Sequence, residues 1–361
     1  MFPQLRPILS VSALRAPCWY SCVRKFISPP ENGLPNKRND FSFRVHVIGN
    51  PVIDFVVKNI SPDLRSDRSV IMEVNPGPGF ILEALLKAGA RRVFGLYEES
   101  SPYLSALEAL REKYPDRLQI RPMEVLFLEK ITEQSTINGV TLRSMLDLPA
   151  DFPGYNWTDD PPFKVLVTLT KLTEKTFFRR IFKELVLQDG FFSIGRPQIF
   201  AFVTGYQYHL LLPQMKIMGG SSFNSLFAQT FFDIECLGKF DWSNFHPPAK
   251  LPKKAVRDTQ SAFLLSLTPK ADLPDKFPAQ HWPEFMEFLR FSIRRKERII
   301  PFMEHMLPDC GPRLIKIGFR VCQTFRDLEP SDHVKLFREI MSWPDYESSN
   351  LASIFRERLV L

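Results

Sequence analysis

The sequence predicts an α/β fold: a doubly wound, mostly parallel sheet followed by a smaller all-helical region. Three observations carry this. Short apolar runs alternate with amphipathic helical stretches over residues 70–187, the pattern of parallel strands joined by crossover helices. The first run ends in Glu73-Val74-Asn75-Pro76-Gly77-Pro78-Gly79, an acid followed by a two-glycine turn that feeds a helix. From Trp282 onward strand signals stop and the apolar spacing is helical, with Pro301 and Pro308 read as breaks.

Taken in order, residues 41–60 carry a helix-like apolar pattern interrupted at Gly49-Asn50-Pro51. A strand at 70–74 leads through the glycine turn to a helix at 80–87. A second buried strand spans 92–97 and ends at Glu98-Glu99, and 103–114 is helical with Leu104, Leu107 and Leu110 on one face. A third strand at 118–120 leads to Glu124, and the polar stretch 130–160 reads as an insertion loop. Residues 163–169 form a fourth strand and 174–187 a helix. Later strands are expected at 191–202, 231–237 and 263–267, the last in an antiparallel hairpin. The expected domains are a targeting peptide (1–30), an α/β domain (31–275) and a helical C-terminal domain (276–361), with the boundary inside Pro274-Asp275-Lys276-Phe277-Pro278.

Hydrophobic residues make up 44% of the 361, so the chain can bury sizeable cores, and its 33 Phe belong mostly to them. The net charge of +7 is uneven. Residues 1–30 hold Arg6, Arg15, Arg24 and Lys25 and no acid, and without these four the chain is only +3. A nucleic-acid surface must then be a local patch. The acid-free, Arg-bearing start reads as a mitochondrial targeting peptide, implying a matrix location. The five cysteines and six histidines show no metal-ligand spacing, so no metal is expected. No apolar stretch approaches the ~18 residues of a membrane span.

The glycine turn distinguishes between ligands. A dinucleotide site wants a third small residue three positions after Gly79, and that position is Leu82. S-adenosyl-L-methionine carries no phosphate, needs only close backbone approach, and suits an acid before the turn. The expected cofactor-binding residues are therefore Glu73, Asn75, Gly77 and Gly79. Glu98 or Glu99 at the next strand end would hold the ribose hydroxyls, and Glu124 at the third would accept from the adenine amine.

The glycine turn, the continuation Leu82-x-Ala84-Leu85-Leu86-x-Ala88-Gly89-Ala90, and the stretches 190–202, 263–269 and 311–326 resemble the ribosomal RNA adenine dimethyltransferase family. Within it the likeness is to the mitochondrial transcription factor B branch, over most of residues 45–355. The resemblance implies a Rossmann-like S-adenosylmethionine-dependent methyltransferase fold with a mostly parallel seven-stranded sheet. It also implies two methyl transfers to adenine N6, with the base flipped and held by an Asn-Leu-Pro-Tyr motif after the fourth strand. Here that place reads Thr168-Leu169-Thr170-Lys171. A hydroxyl replaces the amide, and Lys171 offers no aromatic face, which is worth ~1–3 kcal/mol per stacked base.

The branch resemblance, with that degenerate clamp, implies a transcription initiation factor in the mitochondrial nucleoid. It would assist mitochondrial RNA polymerase in melting promoter DNA. The alternative implied is an active dimethyltransferase of small-subunit ribosomal RNA. The nucleic-acid-binding candidates are Arg290, Arg294, Arg295, Lys296, Arg298, Arg313, Lys316 and Arg320. Of these, Arg313, Lys316 and Arg320 are spaced as one helical stripe. Lys250, Lys253, Lys254 and Arg257 form a second basic run on a Pro-rich loop.

Overall fold

A computed structural model describes residues 45–60, 64, 69–98, 101–122, 157–161, 163–212, 222–247 and 261–360. The targeting peptide, most of the insertion loop, Glu99, Glu124 and the basic run 250–257 lie outside the described residues.

The chain opens with β1 (His46–Val47) and α1 (Asn50–Ile60). The doubly wound unit follows as β2 (Val70–Val74), α2 (Phe80–Lys87), β3 (Val93–Tyr97), α3 (Leu104–Lys113), β4 (Leu118–Pro122), β5 (Phe163–Thr168), α4 (Lys171–Leu187) and β6 (Gln198–Thr204). Next come α5 (Gly205–Leu211), α6 (Phe223–Phe231), β7 (Phe232–Asp241), β8 (Phe245–His246) and β9 (Ser261–Pro269). The C-terminal helices are α7 (Leu273–Lys276), α8 (Trp282–Ile293), α9 (Ile299–Met306), α10 (Gly311–Lys316), α11 (Pro330–Met341) and α12 (Asn350–Val360).

The main sheet has seven strands in the order β4-β3-β2-β5-β6-β9-β7. All neighbours from β4 to β6 pair in parallel, while β9 runs antiparallel to both β6 and β7. Order reverses between β2 and β5, the switch point where open α/β sheets bind ligands beyond the strand C-termini. Strand alternation splits the core between the two faces. Ile71, Val93, Leu166 and Phe200 pack against Ile53 and Val56 of α1, Leu82 of α2 and Leu107 of α3. Met72, Phe94, Val165 and Ala201 face Phe178 and Phe182 of α4 and Phe227 of α6. That second core continues without a break into the C-terminal helices. Phe231 lies 6.2 Å from Trp282 and 5.7 Å from Phe285, centroid to centroid.

Several expected boundaries move for local reasons. The described part of the helix-like pattern, 45–60, divides into β1 and α1, with Pro51 in the first helical turn, where its missing N–H costs nothing. Pro301 likewise lies in the first turn of α9 and does not break it. The strand expected from 191 begins only at Gln198. Residues Gly190–Ile194 form a 3₁₀ turn capped by Asp189, and Gly195 (φ 119°) follows. The stripe Arg313–Lys316–Arg320 is not one helix face: α10 ends at Lys316, and Gly318 (φ 101°) turns the chain before Arg320.

Candidate functional site

β2 delivers the turn. Glu73 is its penultimate residue, opposite Gly95 of β3 and Leu166 of β5. Asn75 and Gly77 both take positive φ (55° and 58°), and the Gly79 N–H bonds back to the Pro76 carbonyl at 3.0 Å. Gly79 (φ 81°) is the N-cap of α2, and Leu82 is fully buried beneath the turn. The position a dinucleotide site keeps small is thus filled by a core leucine.

A cleft of about 230 Å³ opens at this turn, walled by Asn75, Gly77, Glu98, Tyr103, His46 and His246 among others. His46 and His246 reach it because β1 pairs antiparallel with β8, His46 opposite His246. The His46 ring packs edge-on to Tyr103 at 5.2 Å, and its Nδ1 lies 3.1 Å from the Asn75 carbonyl oxygen. Sequence reading missed this wall, because β1 and β8 are each two residues long and pair across most of the α/β unit. Burial lowers the pKa of His246, which favours its neutral form.

Glu73 is 6% exposed, and its Oε2 has no hydrogen-bond partner among the described residues. Burial alone holds its carboxyl well above the ordinary range. A buried carboxyl with an unmet acceptor beside a glycine turn suits a ligand that brings a donor or a positive charge. Glu98 lines the same cleft at the end of β3. The residues present thus fit S-adenosyl-L-methionine, whose amino and sulfonium groups are cationic and whose ribose supplies hydroxyls.

The segment after β5 is built as a helix start. Thr168 ends the strand, and the Leu169 N–H bonds to the Phe202 carbonyl at 2.9 Å. Thr170 is the N-cap of α4, its N–H donating to Thr173 Oγ1 at 2.9 Å. Lys171 opens the helix with an exposed side chain. Glu174, 2% exposed, accepts from both the N–H and the hydroxyl of Thr204, tying α4 to the end of β6. Desolvation is the largest influence on Glu174 and raises its pKa.

The basic candidates divide by what they touch. Arg295 is sandwiched between Phe291 (4.7 Å) and Phe302 (4.8 Å). Arg290 pairs with buried Glu287 and lies 5.1 Å over the Phe223 ring. Arg313 lies 5.9 Å over Trp343. Arg294, Lys296, Arg298, Lys316 and Arg320 are exposed. An isolated bridge between Arg298 and Thr324 draws the 294–298 segment beside the 320–324 segment. Among the described residues no group of three His, Cys, Asp or Glu is placed to hold a metal, and no helix is long and apolar enough to cross a membrane.

Sheet order, one antiparallel strand next to the edge and a glycine turn at the switch point define the class: the S-adenosylmethionine-dependent methyltransferase fold. A solved dimethyladenosine transferase from Plasmodium falciparum has this architecture, with a TM-score of 0.52 at 12% identity over 82% of this chain and 97% of that one. The particular likeness is to dimethyladenosine transferase 2, mitochondrial, of Drosophila melanogaster. The two are 24% identical over 391 residues, which covers 93% of this chain and 85% of that protein. The ribosomal RNA small subunit methyltransferase A of Bradyrhizobium diazoefficiens is 28% identical over 138 residues, 37% of this chain and 46% of that protein. No protein-family model matches the chain. The likeness to ribosomal RNA adenine dimethyltransferases read from the sequence holds over most of the chain, and it lies with the mitochondrial relatives.

Proposed function

We propose that this protein is a mitochondrial transcription initiation factor on a methyltransferase-like fold. It assists mitochondrial RNA polymerase at promoter DNA in the matrix nucleoid and has weak or lost methyl transfer. The observation that carries this reading is the start of α4. Where a flipped adenine would need an aromatic face, the chain offers exposed Lys171, and the preceding Thr170 is engaged in capping. A base held without stacking is poorly aligned for attack, and misplacement of about 1 Å costs ~10²-fold in rate.

In this reading the cradle keeps its binding role. Glu73 would take the cationic end of S-adenosylmethionine, the backbone of the turn at Asn75 and Gly77 would line its path, and Glu98 would hold its ribose. The bound cofactor would supply an electrophilic methyl group. The exposed cations of 294–298 and 316–320 take phosphate contacts from nucleic acid.

A reconstituted promoter run-off assay tests the proposal. Initiation should depend on this protein, and run-off at full level without it would refute the reading. The second reading, an active ribosomal RNA dimethyltransferase, is favoured by the unmet Glu73 carboxyl in an otherwise intact cradle. Labelled S-adenosylmethionine with small-subunit ribosomal RNA decides it: transfer above that of Glu73→Ala would support it.

A further inference from the structure

The strongest unassigned feature is the outer side of α4. This 17-residue helix carries Lys171, Lys175, Arg179 and Lys183 at strict four-residue spacing, and all four side chains are exposed. Residues four apart on a helix are neighbours, separated by about 6 Å along the axis. The four therefore form a continuous ridge about 18 Å long. The acids of the helix do not neutralise it at its surface. Glu174 is buried against Thr204, and Glu184 is buried against Arg180 and the Phe191 N–H. None of the four cations has a carboxylate within ion-pair distance among the described residues, although the Lys171 charge offsets a little of the burial that raises Glu174.

At its N-terminal end the ridge meets an exposed apolar step. Leu172 is 61% exposed and Tyr206 58% exposed. Tyr206 sits in the first turn of α5, two residues after the N-cap Thr204, and the Thr204–Glu174 hydrogen bonds hold that turn beside the start of α4. Both residues lie at the C-terminal edge of the parallel strands, the edge on which the glycine turn opens. An exposed tyrosine at the head of an unneutralised basic ridge combines the two elements of single-strand recognition: cations that track phosphates and a ring on which a base stacks. An acidic protein segment would use the cations and have no use for the ring.

We propose that the ridge Lys171–Lys175–Arg179–Lys183, with Tyr206 at its head, is a binding track for single-stranded nucleic acid. It leads the strand to the edge of the cofactor cleft. Tyr206 there supplies the stacking face that position 171 lacks. The proposal deepens the initiation-factor reading and rests on it for the strand's origin, a melted promoter.

The test is fluorescence anisotropy of the full chain with labelled oligothymidine across a salt series. Replacing the four cations by Gln should flatten the slope of log affinity against log salt by about 0.7 per lost phosphate contact. Tyr206→Ala should weaken binding about 5- to 150-fold with the slope unchanged. The charge-keeping variant, Lys to Arg at 171, 175 and 183 with Arg179→Lys, should retain the wild-type slope. If the fourfold Gln variant does not fold, the pair Lys175→Gln and Arg179→Gln reads the same change at half size.

An unchanged slope in either Gln variant overturns the proposal. So does equal binding of polyglutamate, indifferent to Tyr206→Ala, which would assign the ridge to an acidic protein. Promoter run-off that proceeds without the protein, with the slope change intact, ends the initiation reading and leaves the track standing. An unchanged slope with protein-dependent run-off ends the track alone.

Discussion

The His46 imidazole occupies the space that a side chain on Gly77 would need: a Cβ built there lies 2.4 Å from His46 Cγ and 2.6 Å from its Nδ1. The glycine of the turn is therefore required by protein packing as well as by its positive φ, and the contact joins β1 to the end of β2. Gly77→Ala should destabilise the fold by about 1–3 kcal/mol from backbone strain and collision together. His46→Ala in that background should recover part of the loss, because two of the three nearest atoms disappear. A double-mutant cycle by urea unfolding measures the coupling.

Glu73 should impose a pH dependence of defined sign. Its folded pKa is raised by burial, so the native state holds the proton where the unfolded chain has released it. Stability from this group falls as pH climbs from the ordinary carboxylate value to the raised folded value, then levels off. Glu73→Gln lacks this loss, so the variant should be the more stable protein at neutral pH, by a margin that closes in acid. Melting temperatures across pH 4 to 8 (roughly the span between carboxylate and neutral ranges) check it.

His333 works in the opposite direction. It is 2% exposed, its Nδ1 is 3.1 Å from the Glu329 carbonyl oxygen, and its Nε2 has no partner among the described residues. Burial lowers its pKa to about 4. The unfolded chain takes up a proton below pH ~6.5 that the native state refuses. Stability is therefore lost as pH falls from there toward about 4, by up to roughly 3 kcal/mol. His333→Phe should flatten that limb of the profile, whatever its effect on absolute stability.

Neighbouring arginines should separate into two kinds. Arg295→Ala removes a guanidinium stacked on two rings and should lower stability by about 1–2 kcal/mol. Arg294→Ala, on an exposed side chain, should leave stability within about 0.5 kcal/mol and instead lower nucleic-acid affinity and its salt slope. Thermal unfolding and salt-series binding on both variants resolve the two effects.

The sequence made the sheet legible wherever one strand feeds one helix, because period and turn chemistry are local there. The run from Val70 to Gly79 shows this, as does the alternation through Leu187. What escaped it was long-range. The His46–His246 pairing joins dipeptides far apart in the chain, and no local period marks a two-residue strand. The exposure of Tyr206 depends on how β6 ends, and the stacking of half-buried Arg295 between two rings depends on how α8 meets α9. At 313–320 spacing alone was misleading: three cations at helical intervals become two on a helix and one past a glycine bend.

The unbroken core beneath β5, β6 and α6 has a practical meaning for anyone dividing this protein. Phe231 and Phe277 both rest on Phe285, so cleavage in the neighbourhood of residue 276 would strip aromatic surface on both sides. Neither fragment would inherit a finished interior, and each would be expected to cling to chaperones or to itself. The helical tail and the sheet are a single folding commitment, closed over one shared interior.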